Sequence, residues 1–346
     1  MKKQQVGFPA TLHDAIKYFA NADHALDFMK SIRWPDGVVK CPRCGSKDVF
    51  FLSTRKIWKC KAKHEKQQFS VKVGTVLEDS PIALDKWLCA FWLIANAKNG
   101  ISSYELHRSI GVTQKTAWFM LHRIRLAMHN ESTEQFSGRV EADETFIGGR
   151  ARNMHADKRA KILQRGRGAI GKVAVMGLLE RNSPERASRV KVRVVRNVRR
   201  HGLHREIKKE VVKGSEIYTD SLRSYSGLAQ EYIHNVIDHA ECYAKGHVHT
   251  NGLENFWSLL KRGIKGTYVS VEPFHLFRYL DEQSFRFNER KDNDAGRFVK
   301  VVAGVIGKGL RYAKLIGKTG GDGLPQKAES WFTETWLLNQ LGFDTD

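Results

Sequence analysis

Three acidic residues occupy positions from which a chain can present carboxylates to a bound cation. Asp143 lies in RVEADETFIGG and Asp220 in EIYTDSLRSY, each near the end of a short apolar run that predicts a β-strand. Glu254 lies in HTNGLENFWSLLKRG, where an amphipathic helix is predicted to begin. Carboxylates placed in this way, in a strongly basic protein, predict a site that holds divalent cations against phosphate oxygens.

Each carboxylate also has a purely structural interpretation. A single Asp in a strand is usually exposed to solvent, and Asp220 has the position of an N-cap for a helix predicted over 221–230. Asn251 and Glu254 have the spacing of a capping box, in which Glu254 would bond back to the N-cap amide. Taken one at a time, the residues leave these alternatives open.

The helix predicted over 251–263 favours the catalytic interpretation of Glu254. Lys261 follows Glu254 by seven residues, almost two helical turns, so both project along one edge of the apolar stripe. A carboxylate for a cation and a lysine for DNA phosphate then lie on one helix. His249 and Asn251 come just before or at its start, and they are candidates for contacting the substrate or for positioning Glu254. Local capping is the competing explanation for both.

A second group of residues has the spacing of a structural metal site. Cys41 and Cys44 form a Cys-x2-Cys knuckle, and after a gap of fifteen residues Cys60 and His64 form a Cys-x3-His knuckle. A module of about forty residues has too little core to fold alone, so one Zn²⁺ would supply folding free energy. A second Cys-x2-Cys is more usual, so the sequence leaves open whether His64 is the fourth ligand.

Two helices joined by a tight turn are predicted between Gly100 and His129, with Thr113 as the N-cap of the second helix. This pattern fits a helix-turn-helix, and an ordinary helical hairpin is the alternative. The start of the second helix is where a recognition helix meets base edges and phosphates. The residues predicted to contact DNA are Gln114, Lys115, Thr116, Arg123, Lys261 and Arg262.

Composition points to a nucleic-acid partner. The chain has 346 residues, 41% of them hydrophobic, and a formal net charge of +21. The length predicts two or three structural units, and charge of this size calls for a polyanion. DNA is favoured over an anionic membrane surface because the basic residues are spread over several segments. No apolar run approaches the ~20 residues that span a bilayer, and the N-terminus lacks a signal-peptide pattern, so a cytoplasmic location with nucleoid association on DNA is expected.

The predicted elements divide the chain into segments. Strands are predicted near 139–147, 173–180, 189–196, 215–219 and 232–237, with helices near 202–212, 221–230, 251–263 and 273–287. A basic loop is predicted over 150–172. The segments are an N-terminal helical segment (1–37), a zinc ribbon (38–77), a helix-turn-helix region (80–131), a catalytic domain (137–290) and a C-terminal extension without an assigned role (291–346).

Several of these motifs recur together in one family. RVEADETFIGG, YTDSLRSY, HVHTNGLENFWSLLKRGIKGTY and the downstream RYLDEQSFRFNER closely resemble the zinc-ribbon DDE transposases of the insertion-sequence "fifteen-ninety-five" family, which carry an ISXO-two-like DDE domain. The segment CPRCG…WKCKAKHEKQQFSVKVGTVLEDSPIALDKW resembles the zinc ribbon of the same proteins. The resemblance covers roughly residues 15–318, with the motifs in the family's order.

The resemblance implies a fold and an activity. It implies a multidomain α+β protein in which a zinc ribbon and a helix-turn-helix precede an RNase H-like domain, a mixed five-stranded sheet flanked by helices. Asp143, Asp220 and Glu254 would be the acidic triad holding two Mg²⁺ or Mn²⁺ ions, with Lys261 as the basic residue that follows. Family members vary between acid and Asn at the third position, which makes Asn251 a second contributor to consider.

The expected activity is that of an insertion-sequence transposase. Such an enzyme would cleave DNA at terminal inverted repeats and transfer the 3′-OH to target DNA, working as a homodimer or a larger assembly on the DNA. One alternative is an RNase H-like nuclease without strand transfer. Another is a domesticated zinc-ribbon DNA-binding regulator, although the presence of all three acids argues against lost catalysis.

Overall fold

The computed structural model describes residues 8–129, 132–148, 172–237 and 249–318, and their contacts divide the chain into two compact units. The first unit combines Met1–His129 with Asp292–Leu324, and the second contains Asn130–Lys291. The predicted basic loop, apart from Lys172, lies outside the described residues. No helix within the described ranges is both long enough and apolar enough to cross a membrane.

The N-terminal part of the first unit combines helices with a small antiparallel sheet. The side chains of Thr11 and Asn21 cap the first two helices, and Ser102 and Thr113 cap the helices of the later pair. The elements are α1 (Leu12–Phe19), α2 (Ala22–Arg33), β1 (Val49–Leu52), β2 (Ile57–Cys60), β3 (Gln68–Phe69), α3 (Leu84–Asn96), α4 (Ser103–Ile110) and α5 (Gln114–Met128).

The second unit is built on a mixed five-stranded sheet. Its strands are β4 (Arg139–Ile147), β5 (Val173–Glu180), β6 (Arg189–Val195), β7 (Glu216–Asp220) and β8 (Ile233–Ile237). They lie in the order β6-β5-β4-β7-β8, with β4, β5 and β6 antiparallel and with β7 and β8 parallel to β4. This arrangement confirms the predicted RNase H-like sheet.

Helices cover both faces of this sheet. Successive side chains of its central strands point to opposite faces, and both faces carry buried apolar residues. On one face, Val140 and Ala142 belong to a buried cluster with residues of α6 (Arg200–Glu210). On the other face, Val175 and Leu179 belong to a second cluster with α7 (Asn251–Gly263) and α8 (Leu276–Asn288). Asp143 points to the opposite face of β4 from Val140 and Ala142, and therefore lies on the face that α7 covers.

Residues 221–230 correct one prediction, because they do not form the helix expected there. They form two short 3-10 turns, Arg223–Tyr225 and Leu228–Gln230. Gly227 separates the turns with φ = 87°, a left-handed conformation that interrupts a right-handed helix. The buried Tyr225 fixes the first turn, since its hydroxyl donates to Glu144 Oε2 at 2.6 Å.

The described C-terminal residues return to the first unit. They contain α9 (Asp294–Ala303) and the short α10 (Tyr312–Leu315). Phe298 in α9 is fully buried, with its ring stacked on Phe28 at 5.4 Å and 5.0 Å from the ring of Trp92. Further on, a β-bridge pairs Thr75 with Ile306. Residues 292–318 of the segment to which the sequence assigned no role thus belong to the first unit, and Phe298 lies in its core.

Candidate functional site

Strand register brings two of the predicted acids together. β4 and β7 run parallel with Glu141 opposite Tyr218, so the residues two places further along, Asp143 and Asp220, are neighbours at the same edge. α7 covers this face and carries Glu254 in its first turn. Burial is the largest cause of the raised pKa of Asp143, and the charges of Asp220 and Glu254 add to the rise. The structure therefore brings the three predicted carboxylates into one electrostatic cluster.

Asp143 is held at the centre of this cluster. Its Oδ2 accepts a hydrogen bond from Trp257 Nε1 at 2.9 Å, and its Oδ1 accepts the backbone N–H of Glu144 at 2.8 Å. Burial raises its pKa to about 6 in spite of these hydrogen bonds, and the charges of Asp220 and Glu254 add to that rise. A bound cation would relieve this repulsion, and carboxylate oxygens are the ligands that Mg²⁺ prefers.

Room for Trp257 comes from a glycine on the neighbouring strand. Gly177 of β5 is the direct cross-strand partner of Asp143. A Cβ at position 177 would lie 2.6 Å from Cζ2 of Trp257 and 2.9 Å from Cδ2 of Leu253. The missing side chain therefore lets Trp257 lie against the sheet and reach Asp143.

The start of α7 differs from the predicted capping box. The N-cap is Thr250, whose side chain makes no capping hydrogen bond, and Asn251 is the exposed first residue of the helix. Instead, Glu141 Oε2 accepts the backbone N–H of Leu253 at 2.9 Å. Gly252 permits this approach, since a Cβ there would lie 2.8 Å from the same oxygen. A carboxylate from the sheet thus caps the helix that carries Glu254.

Glu141 is also paired with an arginine. It is 1% exposed, and its Oε1 accepts Arg181 Nε at 2.8 Å. The guanidinium of Arg181 stacks over the ring of Tyr218 at 4.1 Å and donates to the backbone oxygen of His249. His249 Nδ1 lies 3.6 Å from Glu141 Oε1. His249, predicted as a supporting residue, therefore contacts the pair that anchors α7.

The anchoring roles of Glu141 and Arg181 were not predicted from the sequence. A signal for Glu141 was present, because it lies two residues before Asp143 and so shares its face of β4. Arg181 gave no comparable signal, since it follows the last residue of β5 among many other basic residues. Its role depends on contacts with Glu141 and His249, which lie 40 and 68 positions away in the chain.

Asp220, Lys261 and Arg262 have different local environments. Asp220 Oδ1 accepts the backbone N–H of Leu222 at 3.0 Å, an Asx-type turn in place of the expected helix cap. Lys261 is half-buried in the last turn of α7, and Arg262 beside it is exposed. Burial raises the pKa of Glu144 to about 7, the hydrogen bond from Tyr225 opposes that rise, and the charges of Asp220 and Asp143 reinforce it.

The four predicted zinc ligands lie together in the first unit. The ligand atoms of Cys41, Cys44, Cys60 and His64 are all within 4.8 Å of one another. Cys41 Sγ lies 3.5 Å from His64 Nε2, and Cys44 Sγ lies 3.6 Å from Cys60 Sγ. Zn–S bonds of about 2.3 Å at tetrahedral angles separate two sulfur ligands by about 3.8 Å. The donor set and its spacing fit one structural Zn²⁺.

The backbone around this cluster has the features of a metal knuckle. Gly45 adopts φ = 75°, and its N–H donates to the carbonyl of Cys41 at 2.8 Å. His64 Nδ1 lies 2.7 Å from the carbonyl oxygen of Glu65, so donation from Nδ1 leaves Nε2 free to bind metal. Among the described residues this is the one compact group of three or more such donors, and the three carboxylates do not form another.

The helix pair α4–α5 presents a groove beside its turn. Gly111 ends α4 in a left-handed conformation with φ = 62°, and Thr113 caps α5. Gln114 Nε2 donates to Ser103 Oγ at 2.8 Å, which ties the two helices together, while Lys115 remains exposed. A groove of about 750 Å³ is lined by Ile82, Lys86, His107, Arg108, Gly111, Val112, Thr113 and Thr116.

Arg123 has a different environment from the other residues predicted to contact DNA. It is 6% exposed, its Nε donates to the carbonyl of Leu310 at 3.0 Å, and its Nη1 donates to the carbonyl of Glu78 at 2.9 Å. The guanidinium is thus engaged with the protein's own backbone. For this reason we leave Arg123 out of the proposed DNA-contacting residues.

Comparison with protein families identifies two known domains in the chain. Residues 135–288 match the ISXO2-like transposase domain, which covers β4 to α8 and all three clustered acids. Residues 20–64 match the transposase zinc-ribbon domain, which includes the four candidate zinc ligands. Both matches agree with the resemblance found in the sequence motifs.

Two curated proteins are similar to this chain. An uncharacterized protein in transposable element ISH50 of Halobacterium salinarum is 29% identical over 281 residues, which span 77% of this chain and 90% of that protein. An uncharacterized transposase-like protein of Haemophilus influenzae is 36% identical over 96 residues, which span 28% of this chain and 77% of that protein. Both relatives are thus named for transposition.

Proposed function

The chain belongs to the ISXO2-like family of zinc-ribbon transposases, and from this premise we propose that it cuts DNA at the ends of an insertion sequence and joins the freed 3′ ends to target DNA. The observation that supports this proposal most is that Asp143 and Asp220 are neighbours at one edge of an RNase H-like sheet, beneath the helix whose first turn carries Glu254. Three carboxylates in one cluster provide a negative site that divalent cations and phosphates can share.

The three acids would act as the metal-binding residues. Asp143, Asp220 and Glu254 would hold two Mg²⁺ or Mn²⁺ ions, which when bound stabilise the attacking and leaving oxygens of an in-line phosphoryl displacement. Trp257 would keep the carboxylate of Asp143 oriented through its hydrogen bond. Lys261, half-buried on the same helix as Glu254, would bind a phosphate of the scissile strand.

The proposed reaction consists of two displacements at phosphorus. In the first, water forms a new P–O bond and the bond to a 3′ oxygen breaks, which leaves a free 3′-OH and a 5′ phosphate. In the second, that 3′-OH attacks a target phosphodiester and displaces another 3′ oxygen. One bond forms and one bond breaks in each step, so no covalent protein intermediate is needed.

The first unit would recognise the DNA ends. Gln114, Lys115 and Thr116 lie at the start of α5, beside a groove lined with basic side chains, which suits base and phosphate contacts. Lys261 and Arg262 would contact phosphates near the site of cleavage. Because two ends must be joined to one target, the active complex would contain at least two copies of the chain.

Substitution of Asp143 tests the proposal. The Asp143→Asn variant keeps the size of the side chain and removes its charge. We expect its DNA cleavage and strand transfer to fall at least ~100-fold, since even indirect changes at metal sites cost about 10- to 100-fold. Binding to a duplex from the DNA that flanks the gene should remain within a few-fold. Cleavage and joining are followed on labelled duplexes, and binding by fluorescence anisotropy.

Glu185→Gln is the matched control, because Glu185 is an exposed acid of the same unit outside the cluster. Full cleavage by Asp143→Asn would refute the proposed site. Cleavage by the wild-type chain without joining would instead indicate a nuclease. Binding of DNA without either reaction would indicate a DNA-binding regulator.

A further inference from the structure

A basic segment of the C-terminal region lies in the unit that carries the helix pair. Residues 304–318, here termed the C-terminal arm, contain four basic residues and no acidic residue. They belong to the first unit, although 175 residues separate the end of α5 from the start of the arm. The four basic residues are Lys308, Arg311, Lys314 and Lys318.

The arm contacts one side of α5. The ring of Tyr312 lies 4.8 Å from Lys115 Nζ and 5.6 Å from the ring of Phe119. It also makes an edge-on contact with Trp118 at 6.5 Å. Residues 115, 118 and 119 lie on one face of a helix, so the arm packs beside the N-terminal half of α5, where DNA contact is proposed.

Three hydrogen bonds to the far half of α5 and to its end fix the arm in this place. The buried Arg123 donates from Nε to the carbonyl of Leu310 at 3.0 Å. Lys308 Nζ donates to the carbonyl of His129 at 2.9 Å and to that of Leu126 at 3.4 Å. The arm is therefore ordered by the protein's own contacts. A ligand that binds the arm then causes little further loss of the arm's conformational entropy.

A different side of α5 carries the groove described above. Thr116 lines that groove, and one residue along a helix turns by about 100°, so Thr116 lies on a different side of α5 from the contact between Lys115 and Tyr312. Lys86 and the exposed Arg108 line the same groove. Basic residues therefore flank the N-terminal half of α5 on two sides. On one side they belong to α3 and α4, and on the other side they belong to the arm.

We propose that the C-terminal arm is part of the DNA-binding surface, with Arg311 and Lys314 contacting phosphates beside the groove that α5 enters. A helix in the major groove, which is about 12 Å wide, lies between two phosphate backbones. Basic groups on both flanks of α5 match that arrangement. Arg311 is exposed and directly precedes Tyr312, which packs against Lys115. This inference rests on the proposed function, since it extends the same DNA contact to a second segment.

Charge reversal at Arg311 tests the inference. In the full chain, Arg311→Glu and the control Lys17→Glu both replace an exposed basic residue of the first unit. Dissociation constants are measured by fluorescence anisotropy for a mixed-sequence duplex of about 30 base pairs over a series of salt concentrations. For Arg311→Glu we expect at least ~10-fold weaker binding, and a salt slope smaller by about 0.9 for the lost phosphate contact. Lys314→Glu should behave in the same way.

The control separates a local contact from net charge. Lys17→Glu should leave the salt slope unchanged, because Lys17 lies on α1. Equal weakening by both reversals, or unchanged binding by Arg311→Glu and Lys314→Glu, would overturn the role of the arm while the proposed function stands. Failure of the wild-type chain to bind any duplex would contradict the proposed function as well. Thermal unfolding of each variant verifies that the arm substitutions leave the fold intact.

Discussion

Glu141 accepts the backbone N–H of Leu253 at 2.9 Å and so joins β4 to the first turn of α7. Glu254 is the next residue on that helix, and Asp143 lies two residues after Glu141 on the same face of the strand. One buried carboxylate therefore fixes the helix that presents Glu254 relative to the strand that presents Asp143. Glu141 is a positioning residue, since its own oxygens are engaged with Leu253 and Arg181.

Replacing Glu141 should loosen this attachment. In Glu141→Gln, Arg181, whose side chain is 9% exposed, loses its charged partner, so we expect the free energy of unfolding to fall by about 2–4 kcal/mol. Cleavage should need a higher Mg²⁺ concentration, while duplex binding by the first unit should persist. Urea unfolding and Mg²⁺ titrations of cleavage check these two expectations.

The double variant Glu141→Gln/Arg181→Gln is the control for the buried pair. Because it removes both charges, its stability should exceed the value expected from adding the two single losses. Simple additivity would show that the two side chains are not coupled, and an unchanged Mg²⁺ requirement would argue against positioning of Glu254.

A methyl group at position 177 should disturb the proposed active site from the neighbouring strand. In Gly177→Ala, the added Cβ would lie 2.6 Å from Trp257, so the indole must move away from Asp143. Overpacking of this kind costs about 1–3 kcal/mol, and cleavage should fall along with stability. Gly266→Ala is the control in the same unit, since a Cβ there meets no atom within 4 Å. Thermal unfolding and cleavage assays on both variants distinguish a local clash from a general effect of Ala.

Zinc content tests the Cys–His cluster. The purified chain should carry one Zn²⁺, and His64→Ala should release it to a chromophoric chelator at least ~10-fold more readily, because one of four ligands is lost. His64→Cys should retain the metal, since thiolate is also a zinc ligand. His13→Ala, a change at an exposed histidine outside the cluster, is the control. Undiminished zinc affinity in His64→Ala would remove His64 from the ligand set.

Acid should weaken a buried ion cluster at the end of α6. Glu210 is 5% exposed and accepts Lys191 Nζ and Arg193 Nη2, each at 2.7 Å. Burial acts to raise its pKa, but the hydrogen bond from Lys191 and the charges of Arg193 and Lys191 lower the pKa below its ordinary value. The carboxylate of Glu210 therefore stabilises the fold at pH values above the ordinary Glu pKa of about 4.3. This stabilisation is lost as the pH falls below that value.

Unfolding at two pH values measures this contribution. Glu210→Gln should destabilise the protein at pH 7, and the difference from wild type should shrink as the carboxylate of the wild-type protein becomes protonated. Urea unfolding midpoints near pH 7 and near pH 3 give the two differences. A difference that stays constant across this range would show that the charge of Glu210 contributes nothing.

Local patterns in the sequence predicted the elements well. The strands predicted near 139–147 and 173–180 have those bounds in the structure, because apolar runs and alternation are signals within one segment. The zinc ligands were found from spacing alone, since Cys and His at knuckle intervals are rarely found together for other reasons. The helix predicted over 251–263 has its predicted bounds for the same reason.

Contacts between distant segments account for what the sequence did not predict. Glu141 caps α7 across 112 residues, and no local pattern encodes that distance. Arg123 has the polarity of a surface residue, but its burial depends on Leu310, 187 residues away. The helix expected over 221–230 is replaced by two turns because Gly227 is left-handed and Tyr225 is drawn to Glu144.

The return of residues 292–318 to the first unit also has a consequence during translation. A ribosome completes the segment from β4 to α8 before it makes the arm that packs on α5. The unit synthesised in the middle can therefore fold first, and the unit that begins the chain reaches its final form last. A nascent chain that stops before Asp292 would carry Asp143, Asp220 and Glu254 and lack Phe298, Leu310 and Tyr312, which complete the packing around α3 and α5.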